Sequence, residues 1–247
     1  MPYCSHPSDC ERKRKNTDWF QPETHAMILT GNSLVNQRLD MTKNRKTNGK
    51  SPLRKRDLNR PSARKRIFDK ASELFYRKGI RAVGVETIAA EADTTKMSLY
   101  RNFPSKDALV AEWLRDHDVN FWQRWETMTS RHPKDPRRQL KAAFALLARH
   151  VADPKARGCP MANSAVELTE KDHPAIKVIE AHKTKLRARL TQMCKQMGSR
   201  EPGLLADHLF LLMEGAQVTT QTLGVRGPAK NVARAAKTLI DAYLGAS

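Results

Sequence analysis

A chain of 247 residues, 39% of them hydrophobic, is long enough for one large or two small domains with cores of their own. Its 45 Lys and Arg against 26 Asp and Glu leave a formal charge of +19, which favours a polyanionic partner, nucleic acid before an anionic membrane surface. The longest apolar run, Ala142 to Ala148, is too short to cross a bilayer, no secretion signal opens the chain, and Cys4, Cys10, Cys159 and Cys194 form neither a CxxC pair nor a zinc spacing, so a membrane-spanning, secreted or disulfide-framed protein is not expected and a reducing cytoplasm is.

Residues 1–60 lack periodicity and are rich in Asn, Thr, Ser, Pro and basic residues, which reads as a disordered basic N-terminal arm. Met41 opens its more uniformly basic part and is a candidate start codon. Arg54, Lys55, Arg56, Arg60, Arg64, Lys65 and Arg66 lie before or within the first expected helix. They suit phosphate contacts or an adjacent minor groove, with a solubilising tail as the alternative.

From Pro61 the pattern is helical. Ser62 is placed to cap a helix with Ile67, Ala71, Leu74, Phe75 and Lys78 on one face and Gly79 as its stop. Helices are predicted over 85–92 and 96–103, from a Ser105 cap to about Trp125, and over 137–151. Further ones follow a Gly-Cys-Pro turn at 158–160, run from Pro174 to about Met197, and cover 203–223 and 228–244. No stretch shows strand alternation bounded by turn residues, so the expected fold class is all-α.

The helices over 85–92 and 96–103 have the outline of a helix-turn-helix in a very basic chain. Ile88, Ala89 and Ala92 are placed to face Leu99 and Phe103, covered by Ile67, Leu74 and Phe75. The sharp turn between them falls on Asp93, a residue type that tolerates left-handed backbone. Thr95 is positioned to cap the second helix, whose exposed face then presents Thr95, Lys96, Met97, Ser98 and Arg101 to base edges in a major groove. Tyr100 joins a packing ring to a hydroxyl within reach of phosphate, and Lys106, poorly suited to a first helical turn, reads as a backbone anchor. The alternative is that the aromatics are only core and the charges only a solvated face.

The run Ala71…Leu74-Phe75…Gly79-Ile80-Arg81-Ala82…Ile88-Ala89…Ala92…Leu99-Tyr100-Arg101-Asn102-Phe103-Pro104-Ser105-Lys106…Leu109 resembles the DNA-binding domain of TetR-type transcriptional regulators. The resemblance covers about residues 62–112. It implies a helix-turn-helix DNA-binding domain over 61–106 and a C-terminal helical ligand-binding and dimerisation domain over 107–247. It also implies a homodimer on an inverted-repeat operator, released by a small-molecule effector, and phosphate contacts at Tyr100 and Lys106. Three positions depart from the family pattern: Asp93 replaces the usual turn glycine, Asn102 the usual His, and Met97 a small residue.

Beyond residue 112 the resemblance thins, though Gly158 to Leu168 and His173-Pro174 look like a recurrent subgroup of these regulators. Leu209, Leu212, Met213, Ala216 and Thr220, with Val232, Ala236, Leu239 and Tyr243, suit a dimer interface or the monomer core. Trp122, Phe144, Leu147, Met161 and Met213 are candidate walls of an effector pocket, with Asn163, Glu167, His182 and Gln217 as candidate polar contacts. Cys159, at an expected helix start near Arg157, is a candidate oxidant or electrophile sensor or a small buried apolar residue. No GxGxxG, HExxH or GxSxG occurs, so no enzyme, catalytic residue, cofactor or metal is expected. A non-sensing, charge-driven, nucleoid-type DNA binder is the competing function.

Overall fold

Hydroxyl and carboxylate caps decide where several helices begin. In the computed structural model, which describes residues 60–244, Ser62, Thr95, Ser105 and Asp135 each accept a hydrogen bond from the backbone N–H three residues on. The helices are α1 (Ala63–Lys78), α2 (Val85–Glu91), α3 (Lys96–Asn102), α4 (Lys106–Thr129), α5 (Pro136–Val151), α6 (Pro160–Glu167), α7 (Pro174–Gln196), α8 (Pro202–Leu223) and α9 (Val232–Leu244). Prolines open α5 to α8 in the first turn, where no intrahelical N–H is lost. The described residues are helix and connection throughout, which makes the class all-α.

Three expectations change. Lys78 is exposed rather than on the packed face of α1, because that face already closes on Ile67, Ala71, Leu74 and Phe75. The fourth helix continues one turn past Trp125, since Trp125 and Thr129 both find burial against the second core. The last helix is split: Pro228–Asn231 forms a 3₁₀ turn and α9 starts at Val232. The reading of residues 1–59 as an arm, with Met41 as a start, lies outside the described residues.

Two hydrophobic cores organise the described residues. The first gathers Ile67, Phe75, Ile88, Leu99, Phe103, Leu109 and Leu114 from α1 to α4 with Met161 of α6 and Ile179 of α7. The second joins Trp122 and Trp125 to Phe144, Leu147, Leu190, Leu209, Met213 and Ile240. Helix α4 enters both, so the segment that carries the helix-turn-helix shares its core with α6 and α7.

The α2–α3 turn is held from outside. Asp93 has φ 49° and is the one non-glycine residue with positive φ among the described residues. The last carbonyls of a helix have no partners within it, and Arg66 of α1 supplies them. Its Nε donates to Ala92 O at 3.0 Å, one terminal nitrogen to Asp93 O at 3.0 Å and the other to Pro61 O at 2.9 Å. Arg60 pairs with the Asp93 carboxylate, and Lys65 with Asp69 one turn along. These basic residues, expected to meet DNA, are therefore engaged within the fold, because carbonyls at a helix end need donors as much as phosphates do.

Replacing Arg66 with Met keeps the aliphatic stem and strips one bond from the half-buried Ala92 carbonyl and two from the exposed carbonyls of Pro61 and Asp93. The expected loss is ~1–3 kcal/mol, read as a lower urea midpoint at unchanged slope. An unchanged midpoint would mean that the turn holds itself.

Candidate nucleic-acid interface

Helix α3 is seven residues long and buries one side chain of its own, Leu99. Phe103, just past its end, is 1% exposed and closes the same core. With those two residues inward, Thr95, Lys96, Met97, Tyr100 and Arg101 are all exposed, and Ser98 and Asn102 are half-buried at the margin. Lys96, Met97, Tyr100 and Arg101 line one shallow hollow on the outer surface.

Several polar groups of this region are already committed. Thr95 Oγ1 accepts from Ser98 N at 3.1 Å, and Asn102 Nδ2 donates to Ser98 O at 2.8 Å. Lys96 forms an ion pair with Glu86 of α2, which raises the pKa of the lysine and lowers that of the glutamate. Arg64 makes a bidentate pair with Glu112 at 2.7 Å and lies over the Phe103 ring, 4.7 Å from its centre. Such exposed pairs are individually weak, about 0–1 kcal/mol, so a phosphate can take over either cation at small cost. Lys106 differs. Its Nζ donates to Ile80 O at 2.6 Å, and burial pulls its pKa below the ordinary lysine value, against the opposing pull of Asp107 and Glu167.

The α1–α2 loop that Lys106 holds is gripped from the other side by α6. Glu167 Oε2 accepts from Arg81 N at 3.1 Å, and its carboxylate lies where a Cβ on Gly79 would sit, 2.9 Å away. Gly79 has φ 88°, and it is that backbone conformation which requires glycine there. Arg81 adds a bond to Thr169 at 2.8 Å. Nearby, Arg157 N donates to Tyr76 Oη at 2.8 Å, and the Arg157 guanidinium donates to Arg77 O. The sequence reading gave Glu167 a pocket role and missed this latch, whose one sequence signal is the glycine.

Residues 67–113, the stretch that forms this surface and its core, match the family model described as bacterial regulatory proteins, tetR family. That stretch is a tetR-family DNA-binding domain. The chain is 39% identical over 56 residues to YvkB of Bacillus subtilis (strain 168), an uncharacterised HTH-type transcriptional regulator, and the match covers 23% of this chain and 30% of the relative. It is 26% identical over 110 residues to DhaR of Mycobacterium sp. (strain GP1), an HTH-type transcriptional repressor, covering 44% of this chain and 54% of DhaR. These matches therefore span about a third and about half of the curated relatives. A solved TetR-family transcriptional regulator from Streptomyces coelicolor superposes with a TM-score of 0.66 at 26% identity, over 74% of this chain and 94% of that one. Among the described residues no helix is long and apolar enough to cross a membrane.

The candidate effector residues do not form one group. Cys159 and Met161 belong to the first core; Trp122, Phe144, Leu147 and Met213 belong to the second. Asn163 is used locally, donating to Arg157 O at 2.6 Å and accepting from Gln221, and Gln217 bonds the carbonyl of Met213 one turn back. Cys159 is buried at the N-cap of α6 with Lys183 Nζ 3.6 Å from its sulfur; that lysine is held by Glu214. The buried polar centre of the region lies elsewhere, between α4 and α7. Asp118 accepts from Trp122 Nε1 at 2.8 Å and from His182 Nδ1 at 2.6 Å. The sequence reading named Trp122 and His182 and missed Asp118, which no motif marks.

Burial holds His182 below the ordinary histidine value although Asp118 pulls it up. Burial, helped by Arg124 and His182, pushes His117 down to about 4. The unfolded chain takes up a proton at His117 near pH 6.5, and the folded chain resists until about 4. Stability contributed by the neutral imidazole is thus full above pH 6.5 and lost as pH falls toward 4. A His117→Gln variant should unfold with a smaller drop in stability between pH 7 and pH 4.5, by about 1–3 kcal/mol. Equal drops in both proteins would contradict the neutral, half-buried imidazole.

Proposed function

We propose that this chain is a TetR-family regulator, a ligand-responsive, sequence-specific DNA-binding protein of the cytoplasm, a homodimer that represses transcription from an inverted-repeat operator and is released by a small molecule. The outward face of α3 carries the reading: a seven-residue helix fixed by Thr95, Leu99 and the Arg66 fork presents Met97, Tyr100 and Arg101 without internal partners. A helix held in this way fits a major groove, with Lys96 and Arg64 able to exchange a carboxylate for a phosphate. The naming of DhaR as a repressor supports the sign of regulation.

One short helix reads too few base pairs to be selective, so a second copy is needed, its recognition helix roughly 34–36 Å away on the same face of the duplex. Of the residues weighed for that interface or the monomer core, Leu209, Met213, Ala216, Thr220, Val232 and Ala236 are buried against the chain's own helices, and Leu212, Leu239 and Tyr243 are half-buried. Leu204, Leu211 and Val218 recur every seven residues on α8 and are 44%, 65% and 52% exposed. That stripe supports pairing through α8, with α9 beside it, as a four-helix interface.

The latch suggests how an effector acts. Glu167 at the end of α6 holds the Gly79–Arg81 loop, which Lys106 fastens to α4. A small molecule that binds better when α6 is displaced loosens this grip and shifts the recognition helix, and its differential affinity for the two states sets the size of the response.

Selection of bound duplexes from random DNA at about 150 mM salt should recover an inverted repeat. A Tyr100→Ala/Arg101→Ala variant should bind that repeat at least about tenfold more weakly, from ~1–3 kcal/mol per lost contact. Enrichment without a motif would favour a charge-driven nucleoid-type binder. A Leu211→Asp/Val218→Asp variant should halve the mass in solution and lose affinity for the full repeat; an unchanged mass would move the interface away from α8.

A further inference from the structure

We propose that Met97 is the sequence-reading side chain at the start of α3 and that it selects thymine through the base's 5-methyl group. The inference rests on the DNA-binding reading above and goes beyond it by naming the base that this surface recognises.

Met97 is the second residue of α3 and is 75% exposed, a large apolar side chain at the position from which recognition helices reach base edges. Three of the polar side chains around it have partners within the chain, Lys96 in a pair that a phosphate can exchange. Thr95 caps the helix, Lys96 is paired with Glu86, and Asn102 is bonded to Ser98 O. No amide on this face is therefore free to make the bidentate contact that picks out adenine. Arg101, exposed and without a partner among the described residues, is a cation for guanine or phosphate one turn further along the helix.

What remains at the tip is a thioether. Of the base edges in the major groove, thymine alone carries a methyl group, and apolar contact is the means by which side chains recognise it. Methionine is long, unbranched and polarisable, so it can lie against that methyl without a fixed approach angle. The hollow formed with Lys96, Tyr100 and Arg101 leaves the thioether open to solvent until a base edge covers it. Burial of both apolar groups is the gain.

Deoxyuridine in place of thymidine removes the 5-methyl and keeps the base pair. Each thymine of the duplex selected by the full-length protein is to be replaced in turn. One symmetric position should lose about fourfold in affinity per half-site, the equivalent of ~0.8 kcal/mol for one buried methyl. Met97→Ala should bind the thymidine and deoxyuridine duplexes equally. The exposed side chain touches neither core, so thermal unfolding of this variant should match that of the parent. Sensitivity that persists in Met97→Ala, or no sensitive thymine at all in a duplex bound specifically, would overturn the assignment. Failure to select any specific duplex would instead remove the DNA-binding reading on which it rests.

Discussion

The guanidinium of Arg66 bonds three carbonyls at once, and the orientation of the recognition helix follows from where that fork lies. Ala92 and Asp93 end α2, and Asp93 turns the chain in a left-handed conformation that few side chains accept. Without external donors the half-buried Ala92 carbonyl would be unpaired and the exposed Asp93 carbonyl left to water, and the turn would have several ways to relax. With the fork in place, the turn is tied to Pro61 and to the start of α1. Leu99 and Phe103 then have one way to pack, and the other side of α3 has one way to face.

The same economy governs the rest of the basic surface near the head. Arg60, Arg64, Lys65, Lys96 and Lys106 all have partners within the chain, so formal charge overstates what is free for DNA. The exposed pairs remain exchangeable, whereas Lys106 is half-buried on a carbonyl and helps to set the α1–α2 loop. Glu167 reaches that loop from α6, which makes the loop the meeting point of the two halves of the molecule. Packed atoms and a few hydrogen bonds, rather than an open hinge, join the C-terminal helices to the head.

Much of this was legible before any coordinates. A serine or threonine three residues ahead of a helical N–H marks a cap, and Ser62, Thr95 and Ser105 all serve as expected. Asp93 was legible as the left-handed residue because the turn had to fall there and Asp tolerates it. The outward face of α3 follows from the positions of Leu99 and Phe103. The fates of Arg66 and Lys106 were not legible: a donor suited to phosphate is equally suited to a carbonyl, and carbonyls leave no mark in a sequence. Helix α8 stayed open between a dimer interface and the monomer core for a different reason. It is apolar on two sides, Leu209 and Met213 inward and Leu211 and Val218 outward, and periodicity cannot say which side meets the monomer core. The effector candidates scattered over two cores because a pocket is set by distances across the chain, and bulky apolar residues occur in every core.

The central claim is that a rigidly held α3 reads base sequence, beyond what positive charge alone would bind. It is tested most directly by the ratio of affinities for a selected duplex and for a shuffled duplex of the same composition, at about 150 mM salt. The account predicts a ratio of about a thousand or more. A ratio near one, with binding to both duplexes vanishing together as salt rises, would contradict it.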